Sequence, residues 1–129
     1  MISSNRDTLD KLFSLVTKFK YATHEGYGKC YTCPAVLPFR AMECGHFQSR
    51  QYYPVRWHKN NARLQCYSCN NFFSGRPDVF EEELREEIGD EEVDIILHLA
   101  KNGAYPTDDE IKQQIKELRL QLKALGGNL

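Results

Sequence analysis

The sequence predicts an α+β domain, mostly helical, with a small β-ribbon and short knuckles around a four-cysteine site, flanked by an N-terminal helix and C-terminal helices. Three observations carry this. Two C-x2-C pairs, Cys30 with Cys33 and Cys66 with Cys69, stand 32 residues apart. Between Gly26 and Pro77 the chain is rich in Gly, Pro, Cys, Asn and aromatic residues without helical period, a pattern of knuckles, short strands and loops. On either side, apolar residues recur every three or four positions, as on one face of a helix. A chain of 129 residues has room for one compact domain with a modest core. Its expected parts are an N-terminal helix in 1–25, the cysteine-stapled core in 26–77 and an acidic helical region in 78–129.

The first helix is expected from Ser4 to about Thr23, with Ser4 as N-cap, Asp7 in the first turn, and an apolar stripe of Leu9, Leu12, Phe13, Val16 and Phe19. After Pro77, Val79, Phe80, Leu84 and Ile88 form one stripe ending at Gly89, and Val93, Ile96, Leu97 and Ala100 form another ending at Gly103. In the last segment Thr107 and Glu110 have capping-box spacing. There Ile111, Ile115, Leu118, Leu122 and Leu125 make a seam of about two heptads. That seam suits either the chain's own core or pairing with a second subunit.

No apolar run approaches the roughly 20 residues of a membrane span. The opening residues also lack the basic-then-apolar order of a secretory signal. The expectation is a cytoplasmic protein with no membrane partner. In a reducing compartment five cysteines read as metal ligands or thiols before disulfides. The two C-x2-C pairs together supply four thiolates for one tetrahedral zinc, which closes its coordination sphere and makes it structural. Cys44, the fifth, reads as a small buried hydrophobe.

Between and just after the knuckles lie Glu43-Cys-Gly-His46-Phe47, Arg50, Arg56-Trp57, Asn60-Asn61 and Asn70. This arrangement resembles the HNH, or ββα-metal, nucleases. In that fold a ribbon delivers a histidine, a loop an asparagine and the following helix a third polar residue to one divalent ion. The resemblance implies those roles for His46, Asn61 and Asn70. The linked motifs, C-x2-C, then GHF-x-SR, then RW followed by N and by QC-x2-CN, then Ser74-Gly75 and an acidic helix ending at Ile88-Gly89, are most similar to the NinG (Rap) family of phage recombination endonucleases. That family implies cleavage of branched DNA such as Holliday junctions. A weaker resemblance, to endonuclease VII-type resolvases, implies Glu43 and Asn70 as ligands of a catalytic Mg²⁺ or Mn²⁺ and His46 as general base. Glu43 departs from the aspartate usual there.

The chemistry is coherent without the family. Phosphodiester hydrolysis needs a base for water and a hard cation for the charge growing on phosphate, and carboxylate and amide oxygens suit Mg²⁺. His46 can accept a proton near neutrality, and a neighbouring amide such as Asn61 can hold its ring in place.

Charge divides along the chain. Residues 1–79 carry eleven Lys/Arg against five Asp/Glu, and residues 80–129 six against thirteen, so an anionic partner is drawn to the first part. Arg40, Arg50, Arg56, Lys59, Arg63 and Arg76, with Tyr52, Tyr53 and Trp57 among them, surround the motif. Arg50, Arg56, Lys59, Arg63 and Arg76 are the expected phosphate contacts. His58 is a further candidate, Trp57 reads as a core plug, and His24 and His98 as ordinary surface or packing residues. The acidic helices from Phe80 to Asp94 must then face away from DNA or meet a protein partner. The rival reading is a non-catalytic zinc-knuckle module that binds DNA or a recombination protein.

Overall fold

The structure, a computed structural model, describes residues 4–127; the outermost residues of the predicted segments 1–25 and 78–129 lie outside it. Helix α1 (Asn5–Lys20) begins as expected: Ser4 accepts a hydrogen bond from the Asp7 amide at 3.1 Å, satisfying a donor left free by the first turn. It stops three residues before the expected Thr23, because Thr23 is used in the next turn, where its hydroxyl accepts from the Tyr27 amide.

Two antiparallel ribbons follow where one was expected. Strands β1 (Tyr27–Lys29) and β2 (Val36–Pro38) form the first, and its connection carries Cys30 and Cys33. Strands β3 (Glu43–His46) and β4 (Ala62–Gln65) form the second, with Glu43 opposite Gln65 and His46 opposite Ala62. Gly45 is dictated by packing: a Cβ there would meet the Gln65 side chain at 1.9 Å. After β4 the chain makes a π-helical turn over Ser68–Phe72, a form frequent at functional sites.

The C-terminal region holds α2 (Pro77–Ile88), α3 (Asp90–Asn102) and α4 (Asp108–Ala124). Gly89, at φ +89°, divides α2 from α3, a backbone state that costs glycine little. The Thr107–Glu110 capping box is formed in both directions.

Three buried clusters hold these elements. In the first, Leu9, Leu12, Phe13 and Val16 of α1 meet Ile111, Ile115, Leu118 and Leu122 of α4 around Trp57. The α4 seam is thus used within the chain, except Leu125, which stays exposed. In the second, Phe80, Leu84, Val93, Ile96 and Ala100 of α2 and α3 close over Phe47 and Val55. The third, Met42 and Leu64 with Cys30, Cys66 and Cys69, surrounds the knuckles. The result is a mixed α+β domain in which α1 packs on the β3–β4 ribbon and on α4, while α2 and α3 pack on each other and on the segment that follows β3. No helix among the described residues is long and apolar enough to cross a membrane.

Candidate active site and metal centre

The Sγ atoms of Cys30, Cys33, Cys66 and Cys69 all lie within 4.8 Å of one another, and none is in a disulfide. A tetrahedral zinc with Zn–S bonds of about 2.3 Å separates its sulfurs by about 3.8 Å, and Cys33 Sγ and Cys66 Sγ are 3.7 Å apart. The Cys66 amide donates to Cys30 Sγ at 3.2 Å, and Arg76 Nε to Cys69 Sγ at 3.1 Å. Donors aimed at sulfur favour thiolates, so these four residues are positioned to hold a metal and fit a structural zinc. Cys44 is apart from them: it is half-buried against the α1–α4 cluster, and burial pushes its thiol up to about 11.

Beside the second knuckle opens a cleft of about 510 Å³. Strand β3 contributes Glu43, Cys44 and His46, and the π-helical turn contributes Asn70 and Asn71. Helix α1 supplies Asp10, Ser14 and Lys18, and the loop after β3 supplies Ser49 and Arg50. No residue of α2 or α3 lines it, so the acidic helices leave it free. Glu43 Oε1 accepts hydrogen bonds from Asn70 Nδ2 and Asn71 Nδ2, each at 2.7 Å.

On the same strand, His46 Nε2 lies 3.1 Å from the Arg56 carbonyl. A carbonyl can only accept, so Nε2 carries the proton and Nδ1 holds the lone pair of the neutral ring. Burial, reinforced by the Arg50 charge and opposed by the bond to Arg56, pushes His46 down to about 4. The ring is therefore neutral at physiological pH. Three of the four predicted catalytic residues, Glu43, His46 and Asn70, thus line one cleft.

Asn61 does something other than expected. It is fully buried, and its Oδ1 accepts from the Gln48 amide at 2.8 Å while its Nδ2 donates to the Gln48 carbonyl at 2.9 Å. Both ends of its amide are committed, so it reaches neither the cleft nor the His46 ring. It pins the loop that leaves β3, and the ring is oriented by the Arg56 carbonyl instead.

The basic residues divide by role. Arg50 is the more open, its side chain 63% exposed at the rim of the cleft with Nη1 3.8 Å from Asp10 Oδ2. Arg56, expected at phosphate, is held by Asp10, to which its Nε and Nη2 both donate. Arg63 is buried, ion-paired with Glu87 of α2 at 3.2 Å and stacked against Tyr21 and Tyr31; burial keeps it from phosphate. Arg76 lies over the Phe73 ring and bonds a knuckle sulfur. Lys59 is exposed but lines a separate groove between α1 and α4, and Arg40 stacks on Phe19 and Phe39. His58 caps a turn by accepting from the Asn60 amide. His24 and His98 are exposed, and Trp57 is the expected plug, its Nε1 donating to Asp10 at 2.8 Å.

Sequence reasoning missed Asp10, Ser14, Lys18 and Asn71. The first three carried a signal, a polar line at i, i+4 and i+8 beside the apolar stripe of α1. Asn71 was visible only as the second half of an Asn pair after Cys69.

No curated protein and no solved structure matches the chain. The model of the family described as bacteriophage lambda NinG protein matches residues 2–127, nearly the whole sequence including both C-x2-C pairs and every cleft residue, and the chain belongs to that family.

Proposed function

We propose that this protein is a divalent-metal-dependent DNA endonuclease of the HNH type, acting on branched or recombining DNA, with a structural zinc holding its fold. The observation that carries the reading is the pairing, in one cleft, of a neutral His46 anchored through Nε2 with a Glu43–Asn70 cluster on the neighbouring turn. His46 Nδ1 takes the proton from the attacking water, and its fixed ring needs no reorientation to do so.

Glu43 and Asn70 are the residues that would hold Mg²⁺ or Mn²⁺. A carboxylate and an amide are the hard oxygen donors such an ion prefers. A half-turn of the Asn70 amide exchanges the nitrogen facing Glu43 for its oxygen. The ion supplies charge stabilisation at the phosphate oxygens. Asn71 steadies Glu43, Asn61 holds the loop behind His46, and Arg50 and Lys18 flank the cleft as phosphate contacts.

The test is cleavage of labelled four-way junction, D-loop and linear duplex DNA with Mg²⁺ or Mn²⁺. The expected result is metal-dependent cutting that His46→Ala lowers by about 10²–10⁴-fold while zinc content and DNA binding persist. No cutting of any substrate by the unaltered protein, with binding intact, would make the chain a non-catalytic zinc-knuckle module.

A further inference from the structure

The turn that supplies Asn70 and Asn71 to the cleft also carries the most exposed aromatic surface near it. Phe72 is 81% exposed, Phe73 48% and Tyr67 66%. Phe72 and Phe73 meet edge to face with centroids 5.6 Å apart, and the Arg76 guanidinium lies 4.1 Å from the Phe73 ring centre.

These rings are held out on a rigid support. Ser74, Gly75 and Arg76 all have positive φ, at 54°, 85° and 46°. Two of the three are not glycine, so the turn carries backbone strain that its surroundings must maintain. They do so through named bonds. The Gly75 amide donates to the Cys69 carbonyl at 2.8 Å, Arg76 Nε to Cys69 Sγ, and Gln65 Nε2 to the Gly75 carbonyl at 2.9 Å. The same Gln65 Nε2 also donates to Thr32 Oγ1 in the first knuckle. The platform is thereby tied to both halves of the metal centre.

Building on the reading above, we propose that Phe72, with Phe73, is a stacking platform for an unpaired base of the DNA held in the cleft. Phe72 follows Asn71 directly, about 3.8 Å away from Cα to Cα. The rings stand outside the cleft lining, on the turn that supplies Asn70 and Asn71, and a strand whose phosphate lies at Glu43 and Asn70 would set a neighbouring base on them by running along that turn. Arg50 and Lys18, which line the cleft, serve the backbone there, while Arg76, held by Cys69 Sγ, backs the Phe73 ring. Aromatic faces joined to positive charge are what a single strand requires. Three side chains are far too little for a stable protein interface, which needs about 800 Å² on each partner. Paired bases are already stacked within the duplex and gain nothing from Phe72, so the platform selects DNA with a base left unpaired, as at a branch or bulge.

The test uses the full-length, zinc-loaded protein without added Mg²⁺, so that binding is read without cleavage. The probes are a duplex bearing one bulged 2-aminopurine and the same duplex fully paired. For the unaltered protein, tighter binding to the bulged probe and a fluorescence change on stacking are expected. Phe72→Ala, at an exposed position, should bind the bulged probe about tenfold more weakly, the scale of one lost base–aromatic stack. It should bind the paired probe unchanged, and Phe72→Trp should restore the preference. Equal loss on both probes, or loss on neither, would overturn the proposal. So would sedimentation showing a dimer that Phe72→Ala dissociates, since the rings would then cover a second copy. A protein that stacks the base yet cuts nothing with Mg²⁺ refutes the nuclease reading alone; one that cuts bulged DNA regardless of Phe72 refutes the platform alone.

Discussion

If His46 is the base, the cleavage rate must report its displaced ionisation. Burial pushes the imidazole from an ordinary 6.5 down to about 4. At pH 5.5, about 97% of such rings are neutral, against about 9% of unperturbed ones, a tenfold difference in active enzyme. Single-turnover cleavage at saturating Mg²⁺, followed from pH 4 to 8, should stay nearly flat down to pH 5.5 and fall with a midpoint near 4. A cation bound beside the ring moves that midpoint further in the same direction. The residual activity of His46→Ala should lack that limb. The folded state keeps His46 below its unfolded value, so the unfolded chain takes up the proton first. Stability therefore rises with pH between about 4 and 6.5, is complete above 6.5, and is lower by about 3 kcal/mol below pH 4. A limb centred near 6.5, or one that survives His46→Ala, would refute the assignment of His46 as a buried base.

Chelation of the four-cysteine centre should unfold residues 26–77 rather than merely inactivate them, with circular dichroism recovering on zinc addition; unchanged spectra after metal removal would contradict a structural zinc. Asn61→Ala leaves the partly buried Gln48 amide and carbonyl without their partner and should cost about 2 kcal/mol in denaturant unfolding, whereas a loss under about 0.5 kcal/mol would mean that the clip is unimportant. Arg63→Ala should lower stability by about 2 kcal/mol, a buried-pair cost reduced by the half-exposure of Glu87, and leave DNA affinity unchanged; the reverse pattern would return Arg63 to the phosphate contacts. Arg50→Ala should weaken binding about equally across sequences and reduce the salt slope by about one, as measured by anisotropy at several salt concentrations.

What could be read in advance depended on how local the determining physics was. The caps at Ser4 and Thr107, the glycine stops at Gly89 and Gly103 and the apolar stripes of all four helices concern contacts within a few residues, and they stand where periodicity and turn chemistry put them. The knuckles were legible because thiolate spacing is itself a coordination rule. Glu43, His46 and Asn70 were legible only as linked motif residues; that they share a cleft depends on the pairing of β3 with β4 and on the turn after Cys66. Asn61 shows the limit. A buried amide that clips a backbone and an amide that faces a cation are the same letter in the sequence. Arg56 acts through its carbonyl on His46, and a main-chain atom leaves no compositional trace.

Asp10 draws these parts together. One carboxylate, on a helix that sequence alone presents as packing, accepts from the Arg56 guanidinium and from Trp57 Nε1, and Arg50 lies 3.8 Å away. Arg56 therefore cannot serve phosphate, but its fixed backbone carbonyl serves His46. Arg63 is likewise withdrawn to Glu87, and Arg85 of α2 binds Glu81, Asp90 and Asp94. Of these pairs only Arg63–Glu87 joins the basic and the acidic half, so the charge division along the chain persists, but the cations that remain open at the cleft are few. On the function proposed above, affinity for DNA comes from Arg50, Lys18 and the proposed stacking more than from a broad basic surface. Such a protein should bind long duplex weakly and branched DNA well, and its preference should persist as salt rises, because stacking is less sensitive to salt than phosphate pairing.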